Sequence, residues 1–540
     1  MSKKRHSRKI IENVTILEAV AEGKCIARVD DKVLFVPFAA PGDIVDVEIY
    51  RQKHNYMEGR VLRIAAPSPL RVQPPCSHFG LCGGCKWQHL DYAEQLKFKE
   101  KQVRDQLMRI GKVELPESEP ILGSSETLYY RNKLEYTFSP RKWFIEAPAE
   151  GVLNERTIEN TAALGFHLPQ KFDKILDIEH CCLQPAPSNE IRLFLKEYAL
   201  QKGYAFYSVR SASRERVESK TMATATTAAS FATAETLAPQ NNFTLRNVII
   251  RNAKSEFMVI LVVSECNNEA IADILDALSN EFPQIISLYY VVNNKVNDSI
   301  SDLEAVHYKG EKFLTAEMPA FVVKSLCGFD SLNSPKNADI SANLSRTLKF
   351  RINPKSFYQT NTEQAYRLYG IVAEMAALKS ADTVYDLYTG TGTIALFIAD
   401  SVKHVTGIEY VEEAVADARK NAVENGIENA NFFAGDMAKI LTDDFVVRSG
   451  APNVVITDPP REGMHPEVVE MLLSIAPERI VYVSCNAATQ ARDIEKLSAQ
   501  YRIIRHRAVD MFPHTAHVES VVLLEMNSLH FDQFGYERDF

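Results

Sequence analysis

The sequence predicts a multidomain α/β protein: a small N-terminal β-barrel, a central α+β domain, and a C-terminal doubly wound domain built on a mostly parallel sheet. Three observations predict it. Residues 10–65 hold short β-type runs at close spacing with Gly, Pro and Asp turns between them, the pattern of a small barrel. From about residue 348 apolar β-type runs alternate with helical periods, which is βαβα order and implies parallel strands. The 540 residues suffice for about three domains.

The barrel runs include residues 13–17, 32–36, 44–50 and 59–64, and Ala40-Pro41-Gly42-Asp43 is the clearest turn among them. Pro67, Pro69, Pro74 and Pro75 then mark a linker, which sets the first domain at residues 1–67. Residues 68–340 form the central domain. It opens with a cysteine cluster and a helical stretch at 92–110, whose Lys97, Lys99, Lys101 and Arg104 read as a solvated face. Residues 211–240, rich in Ala, Thr and Ser and almost without large apolar side chains, read as a mobile insertion with no function of its own. Residues 341–540 form the third domain. Its strands are expected at 384–388, 404–409, 431–434, 454–457 and 480–484, with helical runs at 394–399, 411–425, 466–475 and 489–498. Residues 502–509 and 518–525 are two further strands able to pair antiparallel.

Composition narrows the function classes. Hydrophobic residues at 46% and charged residues at 24% are ordinary for a soluble protein with full cores. The longest apolar stretches, such as 258–263, fall far short of the roughly 20 residues a membrane helix needs. The charged start, MSKKRHSRKI, lacks the apolar segment of a signal peptide. The expectation is a soluble, cytoplasmic protein with no membrane partner, and nothing implies an obligate protein partner. Nine cysteines in such a chain point away from disulfides and toward metal ligation or thiol chemistry. Lys and Arg total 61 against 70 Asp and Glu, yet residues 1–112 carry 20 against 13. A basic end on an acidic body is compatible with RNA binding through one surface, although a basic tail at residues 2–9 gives the same composition.

Three segments of the third domain carry chemistry. Asp386-Leu387-Tyr388-Thr389-Gly390-Thr391-Gly392-Thr393 follows a strand and opens a helix. Its glycines permit a sharp turn and close approach of the backbone to a ligand, and Glu409, at the end of the next strand, stands where it can accept both hydroxyls of a ribose. The pattern also fits a dinucleotide fingerprint, so NAD stays open beside S-adenosylmethionine. Asp386, four residues before the first glycine, suits a cationic or amino-acid ligand, and Asp458-Pro459-Pro460-Arg461 stiffens a loop at the carboxyl edge of the sheet; both favour S-adenosylmethionine. In Val481-Tyr482-Val483-Ser484-Cys485-Asn486 a cysteine stands just past a strand on that same edge. A free cysteine is ordinarily a packing residue, but here the following helix start is expected to favour its thiolate. C5 of uracil is too weakly nucleophilic to attack a sulfonium methyl unaided. Thiolate addition at C6 activates it, and a base must then remove the C5 proton. Glu519 is the candidate base, a structural ion pair being the alternative. Separately, Cys76, Cys82 and Cys85 cluster in CSHFGLCGGC, with Cys181 and Cys182 nearly a hundred residues on. That set can surround a tetrahedral metal or an iron–sulfur cluster, with zinc, held in part by His78 or His89, as the other possibility.

On these residues the chain resembles the RNA uracil-C5 methyltransferases, in particular those acting on 23S ribosomal RNA. The resemblance covers nearly the whole length. It runs through the barrel, CSHFGLCGGC, Tyr130-Arg131-Asn132-Lys133, Phe357-Tyr358-Gln359-Thr360-Asn361, DLYTGTG, Gly407-Ile408-Glu409, DPPREG, VSCN and His517-Val518-Glu519. It implies a TRAM-type OB barrel and a Rossmann-like class I methyltransferase domain. It implies a [4Fe-4S] cluster on Cys76, Cys82, Cys85 and Cys181, with Cys182 as the adjacent alternative. It places Gln359, Tyr388, Thr393, Glu409, Asp436 and Asp458 against the methyl donor, Cys485 as nucleophile and Glu519 as base. Arg131 and Lys133 become expected phosphate or base contacts. The chain departs from the family in having Ala487 where proline usually follows SCN, and in the 211–240 insertion. The barrel and cysteine cluster, which the tRNA-specific relatives lack, favour 23S ribosomal RNA as the partner.

Overall fold

The computed structural model describes residues 9–143, 161–169, 171–208, 243–320 and 346–527; the insertion expected at 211–240 lies outside them. The N-terminal sheet has six strands in the order Lys9–Thr15, Ile44–Gln52, Tyr56–Ala66, Lys32–Pro37, Lys24–Val29 and Glu18–Ala19. Period-2 alternation turns Cys25, Ala27, Leu34, Val36, Val45 and Val47 inward. Trp87 and Leu90, from beyond the prolines, complete this core. The linker is tied down as well. Arg71 forks onto the fully buried Asp43, Nη2 donating to Oδ2 at 2.6 Å and Nε to Oδ1 at 2.8 Å.

The central sheet runs Lys171–Asp177, Ala163–Leu168, Lys133–Ser139, Thr244–Ala253, Glu256–Val263, Ile285–Val292, Val306–Gly310, with Ala205–Phe206 beside Thr244–Ala253. Glu256–Val263 is a continuous apolar run because both its faces are covered. Val259 and Leu261 pack on the helices Ser188–Gln201 and Asn268–Glu281. Met258, Ile260 and Val262 share a core with the strand pair Leu314–Pro319 and Thr347–Ile352 and, beyond it, with Leu368, Val384 and Ile456. One apolar core therefore crosses the expected boundary at residue 341.

The third sheet reads Ala430–Ala434, His404–Glu409, Thr383–Leu387, Val454–Thr457, Arg479–Ser484, Glu519–Met526, Tyr501–Val509, Glu119–Leu122. The first five strands are parallel, and Glu519–Met526 is antiparallel to both its neighbours. The edge strand Glu119–Leu122 pairs parallel with Tyr501–Val509. The helix Tyr92–Gly111 joins the same unit, burying Val103 and Leu107 beside Ile494 and Leu497. Residues 92–122, placed in the central domain by the sequence reading, thus belong to the third sheet. The solvated face expected of that helix is corrected at one position: Lys99 is fully buried and paired with Asp510. Among the described residues no helix is long and apolar enough to cross a membrane.

Candidate active site

Parallel strands end together, and their carboxyl ends form the crevice where open α/β sheets bind ligands. Three acids and one thiol arrive there on four neighbouring strands: Asp386 within Thr383–Leu387, Glu409 closing His404–Glu409, Asp458 just past Val454–Thr457, and Cys485 just past Arg479–Ser484. Glu519 comes to the same edge from the opposite direction, because its strand is antiparallel and begins where the others finish. Ser484 pairs with Ser520, which sets Glu519 next to Cys485.

The glycine loop is shaped by strand packing. Tyr388, Gly390 and Gly392 all have positive φ, at 63°, 55° and 80°. Gly390 N–H donates to Glu409 Oε2 at 3.1 Å and Val411 N–H to Oε1 at 3.0 Å, so Glu409 is held by backbone from both sides. Asp386 is buried. Its Oδ2 accepts from Thr389 Oγ1 at 2.5 Å and from Ala395 N–H at 3.1 Å, while Oδ1 is buried without a partner among the described residues. Burial lifts its carboxyl to about 7, against those two hydrogen bonds, with the charge of Glu409 adding to the rise. Thr393 opens the helix Thr393–Ile398 and meets Tyr369 Oη at 3.3 Å. Burial pushes the half-buried Tyr388 up to about 12, with Asp493, Asp436 and Glu409 nearby. Asp436 caps the helix Met437–Ile440 through Ala438 N–H at 3.2 Å. Gln359 lies in the loop before the helix Thr362–Ala376, its carbonyl accepting from Asn132 Nδ2 at 2.8 Å.

At the thiol the structure corrects the sequence reading. Cys485 is raised to about 11, first by burial and then by the charges of Glu519 and Asp458; Arg461, whose guanidinium donates to it, opposes them. Burial and the neighbouring carboxylates outweigh the helix start at Ala487, where Asn486 Oδ1 accepts from Ala488 N–H at 3.2 Å. Glu519 is raised by burial and by Asp458, and Asp458 by burial and by Asp386. The crevice is thus rich in carboxyls held above their usual range, an environment that favours a cation.

Two residues escaped sequence reasoning. Arg461 lay unassigned within DPPREG, yet it touches the thiol, and its carbonyl accepts from Asn486 Nδ2 at 2.9 Å and Thr489 Oγ1 at 3.0 Å. Asn132, buried, braces the Gln359 loop through Gln359 O and Thr362 Oγ1, each at 2.8 Å. Its position between two expected RNA contacts was the available signal. Of those neighbours, Arg131 lies over the Phe512 ring at 5.8 Å, and Lys133 sits in a strand where burial lowers its pKa.

A second site is the cysteine cavity, of about 390 Å³, lined by Cys76, Cys82, Cys85, Cys181 and Cys182 together with Arg131. Gln88 Nε2 donates to Cys85 Sγ at 3.2 Å and Gly84 N–H to Cys82 Sγ at 3.4 Å. Among the described residues, no group of three or more His, Cys, Asp or Glu is arranged to hold a metal ion. The thiols therefore share one cavity without closing on one point.

Sheet order, glycine turn and crowded carboxyl edge define an α/β enzyme of the methyltransferase class. Comparison with known proteins carries this further. Residues 337–527 match the family described as tRNA (Uracil-5-)-methyltransferase, and residues 10–62 match the TRAM domain. A Porphyromonas gingivalis protein named an uncharacterized RNA methyltransferase is 46% identical, covering 95% of this chain and 99% of its own. One of the same name from Bacteroides thetaiotaomicron is 44% identical over 94% of this chain and 99% of its own. A solved structure of the Pyrococcus abyssi tRNA (uracil-54, C5)-methyltransferase with S-adenosyl-L-homocysteine matches with a TM-score of 0.63 and 26% identity, covering 95% of this chain and 100% of that one. The chain belongs to the RNA uracil-5 methyltransferase family: it is an enzyme that methylates RNA with S-adenosylmethionine as donor. Because a tRNA enzyme matches over 95% of this chain, the overall architecture does not by itself mark a ribosomal substrate.

Proposed function

We propose that this enzyme methylates C5 of a uridine in 23S ribosomal RNA through a transient bond between Cys485 Sγ and uracil C6. The observation that carries the chemistry is the juxtaposition of Cys485 and Glu519 at one sheet edge, fixed by the pairing of Ser484 with Ser520; the ribosomal target rests on the resemblance of the sequence motifs to the 23S enzymes. Gln359, Tyr388, Thr393, Glu409, Asp436 and Asp458 would hold the methyl donor, and the orphaned Oδ1 of Asp386 fits a cationic ligand at this place. S-adenosylmethionine, when bound, supplies an electrophilic methyl group. The remaining chemistry belongs to the chain. The target base must leave its stack to reach a sulfur seated in a crevice. Cys485 gives its proton to solvent and adds to C6, and the C5–C6 π pair moves into an enolate, which makes C5 nucleophilic. After C5 is methylated, Glu519 takes the C5 proton, the C5–H electron pair restores the ring double bond, and the C6–S bond breaks to return the thiolate. A carboxyl held above its usual range is a stronger base than an exposed one, which suits this step. Mapping 5-methyluridine in ribosomal and transfer RNA from cells with and without the protein tests the assignment; loss of 5-methyluridine from 23S ribosomal RNA is expected. The second reading, the same chemistry on tRNA, is favoured by the match to the Pyrococcus abyssi enzyme and gains if only a tRNA position disappears.

We further propose that the cysteine cavity houses a [4Fe-4S] cluster on Cys76, Cys82, Cys85 and Cys181, with Cys182 as the alternative fourth ligand. Five thiols lining one cavity are the donor chemistry an iron–sulfur cluster takes. Such a group clamps segments distant in sequence. Iron and sulfide in about equal amount after anaerobic purification are expected; zinc without iron would end this reading.

A further inference from the structure

The connection 510–518 runs directly into Glu519, the first residue of its strand, which the sheet pairs with Val509, so this loop sets how that strand end enters the crevice. Here it is pinned by one face of the helix Tyr92–Gly111, four hundred residues away in sequence. Tyr92, Gln95 and Lys99 stand three and four apart and so share that face. Lys99 Nζ donates to Asp510 Oδ1 at 2.6 Å with both side chains at 0% exposure, and to Phe512 O at 3.1 Å. Tyr92 Oη donates to Asp510 Oδ2 at 3.0 Å. Gln95 Oε1 accepts His514 N–H at 3.0 Å. His514 has a φ of 66°, a left-handed conformation that costs a non-glycine residue energy and persists only where the surroundings hold it. Its carbonyl is gripped in turn by the N–H groups of Lys86 and Trp87, at 2.8 and 3.0 Å, directly after the cysteine segment.

Four of these bonds fall on the backbone of Phe512 and His514 and two on the Asp510 carboxylate. A wholly buried ion pair is weak as a source of stability, since a packed apolar pair can fill the same space. Its distinctive effect is to fix a register. We propose that Gln95, Lys99 and Asp510 are positioning residues that hold the loop 510–518 so that the Glu519 carboxyl reaches the C5 proton of the methylated adduct. The inference rests on the covalent mechanism proposed above. It predicts a specific lesion. Loosening the loop leaves Cys485 addition and methylation intact and slows the final step, in which Glu519 takes the C5 proton and the C6–S bond breaks. The C5-methylated RNA–enzyme adduct should then accumulate.

The test uses the full-length enzyme, S-adenosylmethionine and a transcript spanning the mapped uridine, and reads the ratio of denaturant-stable adduct to released methylated RNA. Glu519→Gln is the benchmark and should accumulate adduct. The paired change Lys99→Met with Asp510→Asn, which leaves no lone buried charge, and separately Gln95→Leu, which keeps the ion pair, should each raise the ratio about tenfold with S-adenosylhomocysteine affinity unchanged. A merely structural role lowers adduct and product together, so a wild-type ratio in both variants would overturn the proposal. Absence of adduct even with Glu519→Gln would overturn the covalent mechanism and this inference with it.

Discussion

Gly407 offers a quantitative test of how the sheet shapes the donor site. In the sheet it lies between Asp386 on one strand and Phe432 on the other. A Cβ at Gly407 would stand 2.5 Å from Phe432 Cδ1, 2.8 Å from Cε1 and 3.0 Å from Thr389 Cγ2, where carbon atoms at rest keep about 3.5–4 Å. The ring must therefore retreat by about 1 Å. It is 4% exposed, and its far edge already lies 3.0 Å from where a Gly392 Cβ would be, so retreat presses on the glycine loop. Overpacking of this kind costs about 1–3 kcal/mol. Gly407→Ala should lose that much in urea denaturation and should weaken S-adenosylhomocysteine binding by calorimetry, because Glu409 follows two residues later. Phe432→Leu, which shortens the ring, should make the added methyl nearly harmless: the double variant is expected to be no less stable than Phe432→Leu alone. A loss below about 0.5 kcal/mol for Gly407→Ala, or strict additivity in the double variant, would refute the steric argument.

Two further outcomes follow from the electrostatics. With its thiol raised to about 11, Cys485 should react with iodoacetamide at a rate rising about tenfold per pH unit between pH 7 and 10. Peptide mass spectrometry reads this, and a plateau below pH 9 would contradict it; Glu519→Gln removes a raising charge and should move the curve to lower pH. Arg71→Met strands the fully buried Asp43 carboxylate and should cost the barrel about 3–5 kcal/mol, seen as lost amide-exchange protection in residues 9–66 while the third sheet keeps its own.

What the sequence disclosed and what it hid divide along a physical line. The core strands of the third domain and the helices between them were legible because each is set by local apolar periodicity, and the acids and the thiol fall at strand ends, where the fold puts its crevice; the strand Thr347–Ile352 and the helices Thr362–Ala376 and Asp443–Ser449 were not expected. Glu119–Leu122 was not legible: four residues containing Pro120 become a strand only by pairing with a segment far along the chain. Lys99 read as solvated because a helix period cannot reveal that Asp510 waits opposite. The direction of the Cys485 shift was misread for a similar reason. The helix following the thiol is visible in the sequence, whereas Glu519, Asp458 and Arg461 reach it only in three dimensions. The cysteine spacing pointed to a metal centre; the structure gathers these thiols around one cavity, and spacing says nothing of which group fills it.

The most direct test of the central claim is a transcript carrying 5-fluorouridine at the modified position. Fluorine at C5 cannot leave as a proton, so the sequence of steps stalls after methylation. Incubated with enzyme and S-adenosylmethionine, this RNA should give a denaturant-stable complex whose cross-linked peptide maps to Cys485, and Cys485→Ala should abolish it. Absence of any such complex under conditions where the unfluorinated transcript is fully methylated, or a cross-link at another residue, would contradict the account.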